Sequence, residues 1–201
     1  MDNYRQIRAQ YDADTIRVYQ AYNHTIADAA LAAGTFQEPP FKKSRMTWIK
    51  PSFLWMMYRA GWGRKDQNQT RILAIDITRV GFDWALAEGC LSHYVPAIHG
   101  DEDRWRSAKG PVRIQWDPER GLKLQPLEYR AIQIGLRGRA VGLYVHDWIR
   151  RITDVTAAAQ EIEALVLRGD LDGARALLPE ERDYPVADDV RKVLGMDLGD
   201  A

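Results

Sequence analysis

Alternating apolar and polar residues predict two strands in the first half of the chain. The segment Thr15–Tyr22 (TIRVYQAY) is rich in β-branched and aromatic residues, which favour strands. Its alternation would place on one face Ile16, Val18, Gln20 and Tyr22. A helix is the alternative here, since the apolar residues also fit helical spacing. The segment 71–80 (RILAIDITRV) has the clearest strand pattern of the chain.

Capping residues predict two helices beside these strands. Asn23 is a candidate N-cap for the alanine-rich segment TIADAALAAG, which Gly34 would end. The segment 45–50 alternates like a strand, and the proline after it would break that strand. Ser52 is then a candidate N-cap for a helix over residues 53–60. The order is therefore strand, helix, strand, helix, strand.

The remaining segments have weaker patterns. They predict an arm or helical turn at 3–13, a helix at 81–91, a long charged mobile loop at 92–110, a strand at 112–116 that turns at Asp117 and Pro118, a strand or helix entry at 128–138, helix from about Tyr144, and two short tail helices separated by Pro179–Pro185. These elements predict an α+β fold, with a mixed, mostly antiparallel sheet and flanking helices. We expect one domain over residues 1–152, with a helical C-terminal extension, 153–201, packed on it.

Composition narrows the class of protein. A chain of 201 residues is long enough to bury a core without disulfides or metals. Cys90 is its single cysteine, and the N-terminal residues are too polar for a secretory signal, so we expect a cytoplasmic protein. No apolar run approaches the ~18 residues that cross a bilayer, so we expect no membrane partner.

Charge is balanced overall but unevenly distributed. Residues 1–65 hold ten Lys and Arg against five Asp and Glu, whereas residues 151–201 hold six against twelve. A basic and aromatic front half suits a phosphate-bearing ligand, such as a nucleotide or nucleic acid. Ordinary surface charge is the alternative interpretation, because the excess is small.

The segment 45–63 (RMTWIKPSFLWMMYRAGWG) has the highest density of aromatic and cationic residues. An N-cap at Ser52 would leave backbone N–H groups beside Lys50, which is a suitable anion site. Arg59 is costly to bury without an anion or a carboxylate partner. Trp55 fits a core position by its helical spacing, whereas Trp62 lies beyond the helix and is the better candidate for stacking on a base or sugar.

A second polar cluster is QWDPER, where an amide, two carboxylates and a guanidinium follow a predicted strand. The candidate residues are Gln115, Asp117, Glu119 and Arg120, joined on a neighbouring element by Arg130 and Gln133. Acids, bases and hydrogen-bond anchors are often placed at such strand ends. A glutamine in an apolar strand, such as Gln133 or Gln20, needs a buried partner or a ligand. A purely structural turn, with the carboxylates capping or pairing with nearby arginines, is the alternative.

Four strings, VYQAY, RMTWIKPSFLWMMYRAGW, QWDPER and YRAIQIGL, resemble in this order the domain-of-unknown-function family 4291. The resemblance extends to about residue 160 and implies no particular activity. The element order is also similar, at the level of fold, to that of ADP-ribosyltransferases. By that analogy Gln20 or Tyr22 would contact the nicotinamide end of NAD, Ser52 or Thr47 the middle, and Glu119 the ribosyl centre. The His-Gly-Thr motif of that superfamily is absent.

Three functions are compatible with these features. The first is an enzyme on a nucleotide-like or nucleic-acid substrate, such as an NAD-dependent ADP-ribosyltransferase-like transferase, with Glu119, Lys50 and Gln133 as catalytic residues. The second is a non-catalytic RNA- or DNA-binding module that uses Trp62 for stacking and a set of cations for phosphates, namely Arg5, Arg8, Lys42, Lys43 and Arg45. The third is a partner-binding protein with an acidic helical tail. We expect no metal, because the four histidines lie apart and Cys90 is alone.

Overall fold

The structure, a computed structural model, describes residues 4–107 and 110–199. Its strands are β1 (Arg8–Ala9), β2 (Thr15–Tyr22), β3 (Thr47–Ile49), β4 (Arg71–Thr78), β5 (Gly89–Leu91), β6 (Val112–Arg120), β7 (Pro126–Leu136), β8 (Ile149–Asp154) and β9 (Arg182–Asp183). Its helices are α1 (His24–Ala33), α2 (Phe53–Ala60), α3 (Arg79–Ala87), α4 (Pro96–His99), α5 (Glu102–Ser107), α6 (Arg139–Leu143), α7 (Thr156–Arg168), α8 (Leu171–Ala176) and α9 (Asp188–Val193). A π-helical turn, Tyr144–Trp148, follows α6. The predicted α+β class is confirmed.

The strands form two main sheets and a short ribbon. The three-stranded sheet has the order β2-β4-β8 and is antiparallel. The four-stranded sheet has the order β3-β7-β6-β5, in which only the pair β5–β6 is parallel. The two sheets meet where the Tyr19 amide N–H donates to the Lys50 carbonyl oxygen at 2.7 Å. The ribbon pairs β1 with β9, near opposite ends of the chain.

Two apolar clusters hold these layers together. The larger cluster lies between the sheets and includes Val18 and Ile75 from one sheet and Ile114 and Ile134 from the other. The second cluster covers the other face of β2 and β4 with residues from α2, α7 and α8. Apolar side chains therefore cover both faces of β4, which explains its almost continuous apolar sequence.

Local signals placed the first elements correctly. β2 is a strand, so the helical alternative is wrong for these residues. The Asn23 side chain accepts the Ile26 amide N–H, and Gly34, with a φ of 71°, ends α1. The Ser52 side chain likewise accepts the Trp55 amide N–H at the start of α2. Each cap supplies a partner for a helix end that would otherwise lack one.

Five predictions about the remaining elements are wrong. Residues 89–91, the end of the helix predicted over 81–91, form β5. Residues 8–9 form β1 instead of an arm, and β6 continues to Arg120 instead of turning at Asp117 and Pro118. Within 92–107 the chain forms α4 and α5 instead of a loop, while residues 108 and 109 lie outside the described part. The segment after the π-helical turn forms β8, where helix was predicted.

The C-terminal segment is integrated into the fold. The expected boundary between residues 152 and 153 falls inside β8, which pairs with β4. Beyond it, Tyr184, Leu194 and Met196 are buried in the larger cluster, and Ala159 and Ile162 in the second. Residues beyond 153 therefore form part of both apolar clusters.

Candidate functional site

A cavity of about 590 Å³ opens where β2 approaches β3. Its walls come from the end of β2, β3 with the loop before it, the middle and last turn of α2, and the turn at 66–69. Pockets that bind small molecules have volumes of ~300–1,000 Å³. We call this the β2–β3 cavity; the lining residues that matter below are Gln20, Tyr22, Lys42, Arg45, Thr47, Trp48, Lys50, Arg59 and Asp66.

Cationic side chains outnumber carboxylates in the lining of the β2–β3 cavity. Of the described residues that line it, four are cationic, and Asp66 is the one carboxylate. Asp66 accepts hydrogen bonds from the Asn68 amide N–H and the Gln69 side chain within its own turn. Lys42, Arg45 and Arg59 are exposed at the rim. This excess of positive charge favours an anionic ligand.

Lys50 is the buried cation of the cavity. It follows β3, is 8% exposed and donates from Nζ to the Trp48 carbonyl oxygen at 3.0 Å. Among residues 4–107 and 110–199, no carboxylate forms an ion pair with it. Burial, and next the charge of Arg59, lower the pKa of Lys50 to about 7, although Asp117 acts in the opposite direction. The amine is therefore substantially neutral near physiological pH.

Gln20 crosses the inner wall of the cavity. Its Oε1 accepts the Tyr144 hydroxyl at 2.7 Å, and its Nε2 donates to Tyr22 Oη at 3.0 Å and to the Trp48 carbonyl oxygen at 3.1 Å. Burial raises the pKa of Tyr22 to about 12, so its hydroxyl stays protonated. The buried partner expected for this glutamine is thus a pair of tyrosines, and the network fixes the wall beside Lys50.

Asp117 joins the two other glutamines. Gln115 Nε2 donates to Asp117 Oδ1 at 2.9 Å, and Gln133 Nε2 donates to Asp117 Oδ2 at 2.6 Å. Gln115 and Gln133 oppose each other in the register of β6 and β7. Since Ile49 pairs with Ile134, the alternation of strands points Lys50 and Gln133 away from the core on the same side of the sheet. Asp117 therefore acts on Lys50 as the facing negative charge.

Ser52 and Glu119 meet at the start of α2. The Ser52 hydroxyl donates to Glu119 Oε1 at 2.9 Å, and the Arg120 amide N–H donates to the same oxygen at 2.7 Å. Glu119 is 4% exposed, and burial raises its pKa. Glu181 accepts the Phe53 amide N–H at 2.7 Å, and burial, together with repulsion by Glu119, raises the pKa of Glu181 to about 8. Glu181 thus caps the start of α2 directly, whereas Glu119 holds Ser52, the N-cap residue.

Glu119 and Ser52 do not line the β2–β3 cavity. The two sequence clusters do meet, but the contact is a closed hydrogen bond. Lys50, Arg59, Gln20 and Tyr22 are the predicted site residues that line the cavity. The catalytic roles of Glu119, Lys50 and Gln133 remain predictions.

The other predicted binding residues lie elsewhere. Trp62 is 6% exposed and packs against Phe53, so its ring has no open face for a base. The Arg120 guanidinium lies 3.5 Å from the centre of the Tyr58 ring. Arg8 donates to the Glu181 carbonyl oxygen at 2.9 Å and pairs with Asp183 at 3.2 Å. These side chains join segments of the fold.

Arg130 lines a second cavity, of about 440 Å³. Its Nε donates to the Tyr4 hydroxyl at 2.7 Å, and Arg5 lies in the same wall. Neither arginine lines the β2–β3 cavity, so Arg130 is separated from the predicted site residues Lys50 and Arg59.

The described residues form neither a metal-binding cluster nor a helix that could cross a membrane. Across 4–107 and 110–199, no group of three or more His, Cys, Asp or Glu side chains is arranged to hold a metal ion. No helix in these ranges combines the length and the apolar character that crossing a bilayer requires. Cys90 is free and partly buried.

Comparison with known proteins assigns the family. Residues 6–184 match the family described as Domain of unknown function (DUF4291). The chain belongs to this family. No curated protein matches the chain. The DUF4291 match covers all the elements that build the β2–β3 cavity.

Sequence reasoning missed two residues of the site region. Tyr144 orients Gln20 from 124 positions away, and Glu181 holds α2 from 128 positions away. Tyr144 lies in an apolar segment, and Glu181 in a charged tail that reads as solvated. Neither position carries a local pattern that points to its partner.

Proposed function

We propose that this DUF4291 protein is an enzyme that acts on a phosphate-bearing, nucleotide-like substrate in the β2–β3 cavity. The observation that carries the proposal is Lys50, a buried amine that lines a cation-rich cavity without an ion-pair partner among the described residues. Burying a cation in this way is costly for stability, and such positions are typical of functional sites. An anionic substrate would favour the protonated form of the amine and so bind beside it.

The cavity suits such a substrate in two respects. The exposed cations Lys42, Arg45 and Arg59 at the rim would bind phosphates, since charge-assisted hydrogen bonds to phosphate are strong. The inner wall offers the Tyr22 hydroxyl and the ring of Trp48 to a base or sugar. Positive rim and mixed interior together match a nucleotide.

The most concrete form of the proposal is NAD-dependent ADP-ribosyl transfer in the cytoplasm. Gln20, Tyr22 and Thr47, to which the ADP-ribosyltransferase analogy gives the contacts with the nicotinamide end and the middle of NAD, all line the cavity. Glu119 would have to act from beside Ser52, so Asp117, the carboxylate that influences Lys50, is the nearer candidate for stabilising a ribosyl cation. The single free cysteine suits a reducing compartment.

Ligand binding followed by turnover tests the proposal. Thermal shift and calorimetry with NAD, ADP-ribose and ATP should detect binding to the wild-type protein, and Lys50→Met should weaken it. Glu119→Gln and Asp117→Asn should then be compared for NAD cleavage. Replacing the carboxylate that acts on the ribosyl centre should abolish turnover while NAD still binds, and replacing the other should not. If none of these nucleotides binds the wild type, the proposal is wrong.

A non-catalytic nucleic-acid module is the second candidate, and the exposed rim cations Lys42 and Arg45 favour it. Arg8 and Trp62, however, are engaged in internal contacts. A mobility shift that weakens steeply with salt, with no product formed from any nucleotide, would support this function. Binding of mononucleotides with turnover would reject it.

A further inference from the structure

We infer that the Lys50 amine is a nucleophile, which condenses with the open-chain aldehyde of a phosphorylated sugar to form an imine in the β2–β3 cavity. This inference rests on the proposed function, because it uses the same cavity and the same phosphate-binding rim, but it takes a phosphorylated sugar with a free carbonyl group as the substrate in place of NAD. It assigns Lys50 a bond-forming role that phosphate binding alone does not require.

The surroundings of Nζ leave the amine available for attack. The Trp48 carbonyl oxygen takes one N–H at 3.0 Å, and the Trp55 ring lies 5.8 Å from Nζ. A lysine that only bound phosphate would be expected at the rim, as Lys42 is, where water solvates the ammonium. Lys50 instead lines the cavity from a buried position.

Burial, and after it the charge of Arg59, favour the neutral form of the Lys50 amine. Arg59 of α2 disfavours the ammonium, and Asp117 of β6 favours it. Tyr22 of β2 lines the same cavity and stays protonated. With its pKa lowered to about 7, Lys50 is about half neutral at pH 7, whereas an ordinary lysine is neutral at about one part in a thousand.

The reaction balances with groups at hand. The Nζ lone pair attacks the carbonyl carbon, and one nitrogen proton moves to the carbonyl oxygen to give a carbinolamine. That hydroxyl group takes a proton from solvent and leaves as water, and the second nitrogen proton passes to solvent, which leaves a neutral C=N bond. The Tyr22 hydroxyl, which lines the cavity, is the neutral donor placed to hydrogen-bond the departing oxygen. No oxidant or cofactor is needed.

The ligand class follows from the rim and the amine together. The rim cations Lys42, Arg45 and Arg59 would hold phosphate, and the amine requires a carbonyl group that ring opening exposes. Ribose 5-phosphate and ADP-ribose have both features. NAD has the phosphates but no free aldehyde, because nicotinamide occupies the carbon concerned.

Reductive trapping tests the inference on the wild-type protein. Incubation with ribose 5-phosphate or ADP-ribose and cyanoborohydride near pH 7 should convert the imine to a secondary amine. Peptide mass mapping should find at Lys50 the mass of the sugar less one oxygen atom. Labelling should be about a hundredfold faster at Lys50 than at Lys42, a surface lysine of the same cavity. NAD and unphosphorylated ribose should give little adduct.

Two variants separate this inference from the proposed function. Lys50→Arg keeps the charge but removes the nucleophile, so the adduct should disappear, whereas Lys123→Arg, at an exposed lysine outside the cavity, should leave labelling of Lys50 in place. Equal labelling of Lys42 and Lys50, or no adduct at Lys50, overturns the inference. If NAD or ADP-ribose binds the wild type but no adduct forms, only the covalent role fails. If no nucleotide or sugar phosphate binds, the proposed function fails with it.

Discussion

The hydroxyl of Ser52 donates to Glu119 Oε1 at 2.9 Å, and its oxygen accepts the Trp55 amide N–H at 3.2 Å. One side chain therefore caps α2 and fixes a buried carboxylate of β6. The contact lies directly after Lys50 and Pro51 in the chain, so it also anchors the C-terminal side of the segment that carries the amine.

Ser52→Ala should destabilise the fold through this contact. Losing the cap, together with one of the two donors to the buried Glu119 Oε1, should cost about 2–3 kcal/mol in the free energy of unfolding. Urea denaturation checks this value. Thr78→Ala is the matched control, because Thr78 caps α3 by accepting the Gly81 amide N–H at 3.1 Å and should cost only about 1 kcal/mol. Equal losses in the two variants would mean that the Glu119 contact contributes nothing.

Lys50→Met should stabilise the protein at neutral pH. The pKa of Lys50 is about 7 when folded, and that of an unfolded lysine is about 10.4. Between these values the unfolded chain binds the extra proton, so wild-type stability should rise with pH from about 7 to 10 by up to about 5 kcal/mol, and the penalty is fully present below pH 7. Methionine removes the charge at similar volume. Urea denaturation across this pH range should give a flatter profile than in wild type, whereas the exposed control Lys42→Met should keep the slope.

Glu181→Gln should stabilise the protein at alkaline pH, so its dependence on pH is opposite to that of Lys50→Met. Glu181 has a pKa of about 8 when folded, and an unfolded glutamate has one near about 4.3. The folded chain binds the extra proton between these values, so this carboxyl contributes stability below pH 4 that is lost as pH rises to 8. The amide keeps an acceptor for the Phe53 N–H. We expect the variant to be about 1–2 kcal/mol more stable than wild type at pH 8 and equal to it near pH 4. A uniform loss at every pH would show that the amide disrupts the contact.

Arg59→Gln should weaken nucleotide binding. Arg59 is exposed at the rim of the β2–β3 cavity, so its loss should raise the Kd for ADP-ribose about tenfold at low salt, and less at high salt. Calorimetry measures this Kd. Arg64→Gln is the control, since Arg64 is equally exposed but pairs with Glu163 outside the cavity. Similar effects of both variants would point to general charge and not to the cavity.

Deleting residues 155–201 should prevent folding. The deletion removes Tyr184, Leu194 and Met196 from one core, and Ala159 and Ile162 from the other. Exposed apolar surface on that scale favours aggregation. Soluble expression with a cooperative thermal transition would instead support a tail that docks elsewhere, as the partner-binding hypothesis requires.

Local chemistry explains which elements could be predicted. The caps at Asn23 and Ser52 bond within three residues, so the sequence contains the whole signal. β8 could not be recognised in the same way, because Arg150 and Arg151 are exposed and the strand depends on pairing with β4. Pro118 appeared to end β6, but it sits opposite Arg130 next to a register shift, where a missing N–H is tolerated.

The candidate site divides along the same line. Residue type alone pointed to Lys50 and Arg59, because cations in an aromatic segment are costly without a partner. Which carboxylate faces them depended on the register of β6 and β7, which directs Asp117 and Glu119 to different neighbours. Because the strand was expected to end at Trp116, the sequence did not predict which side of the sheet Asp117 and Glu119 would face.

The hydrogen bond from the Tyr19 amide to the Lys50 carbonyl oxygen joins the two sheets at the residue that carries the proposed nucleophile. The exchange rate of that single amide proton with deuterium is therefore a built-in reporter. If a sugar phosphate attached to Nζ draws the sheets together, the Tyr19 proton should exchange more slowly, and the occupancy of the cavity could be followed without any label.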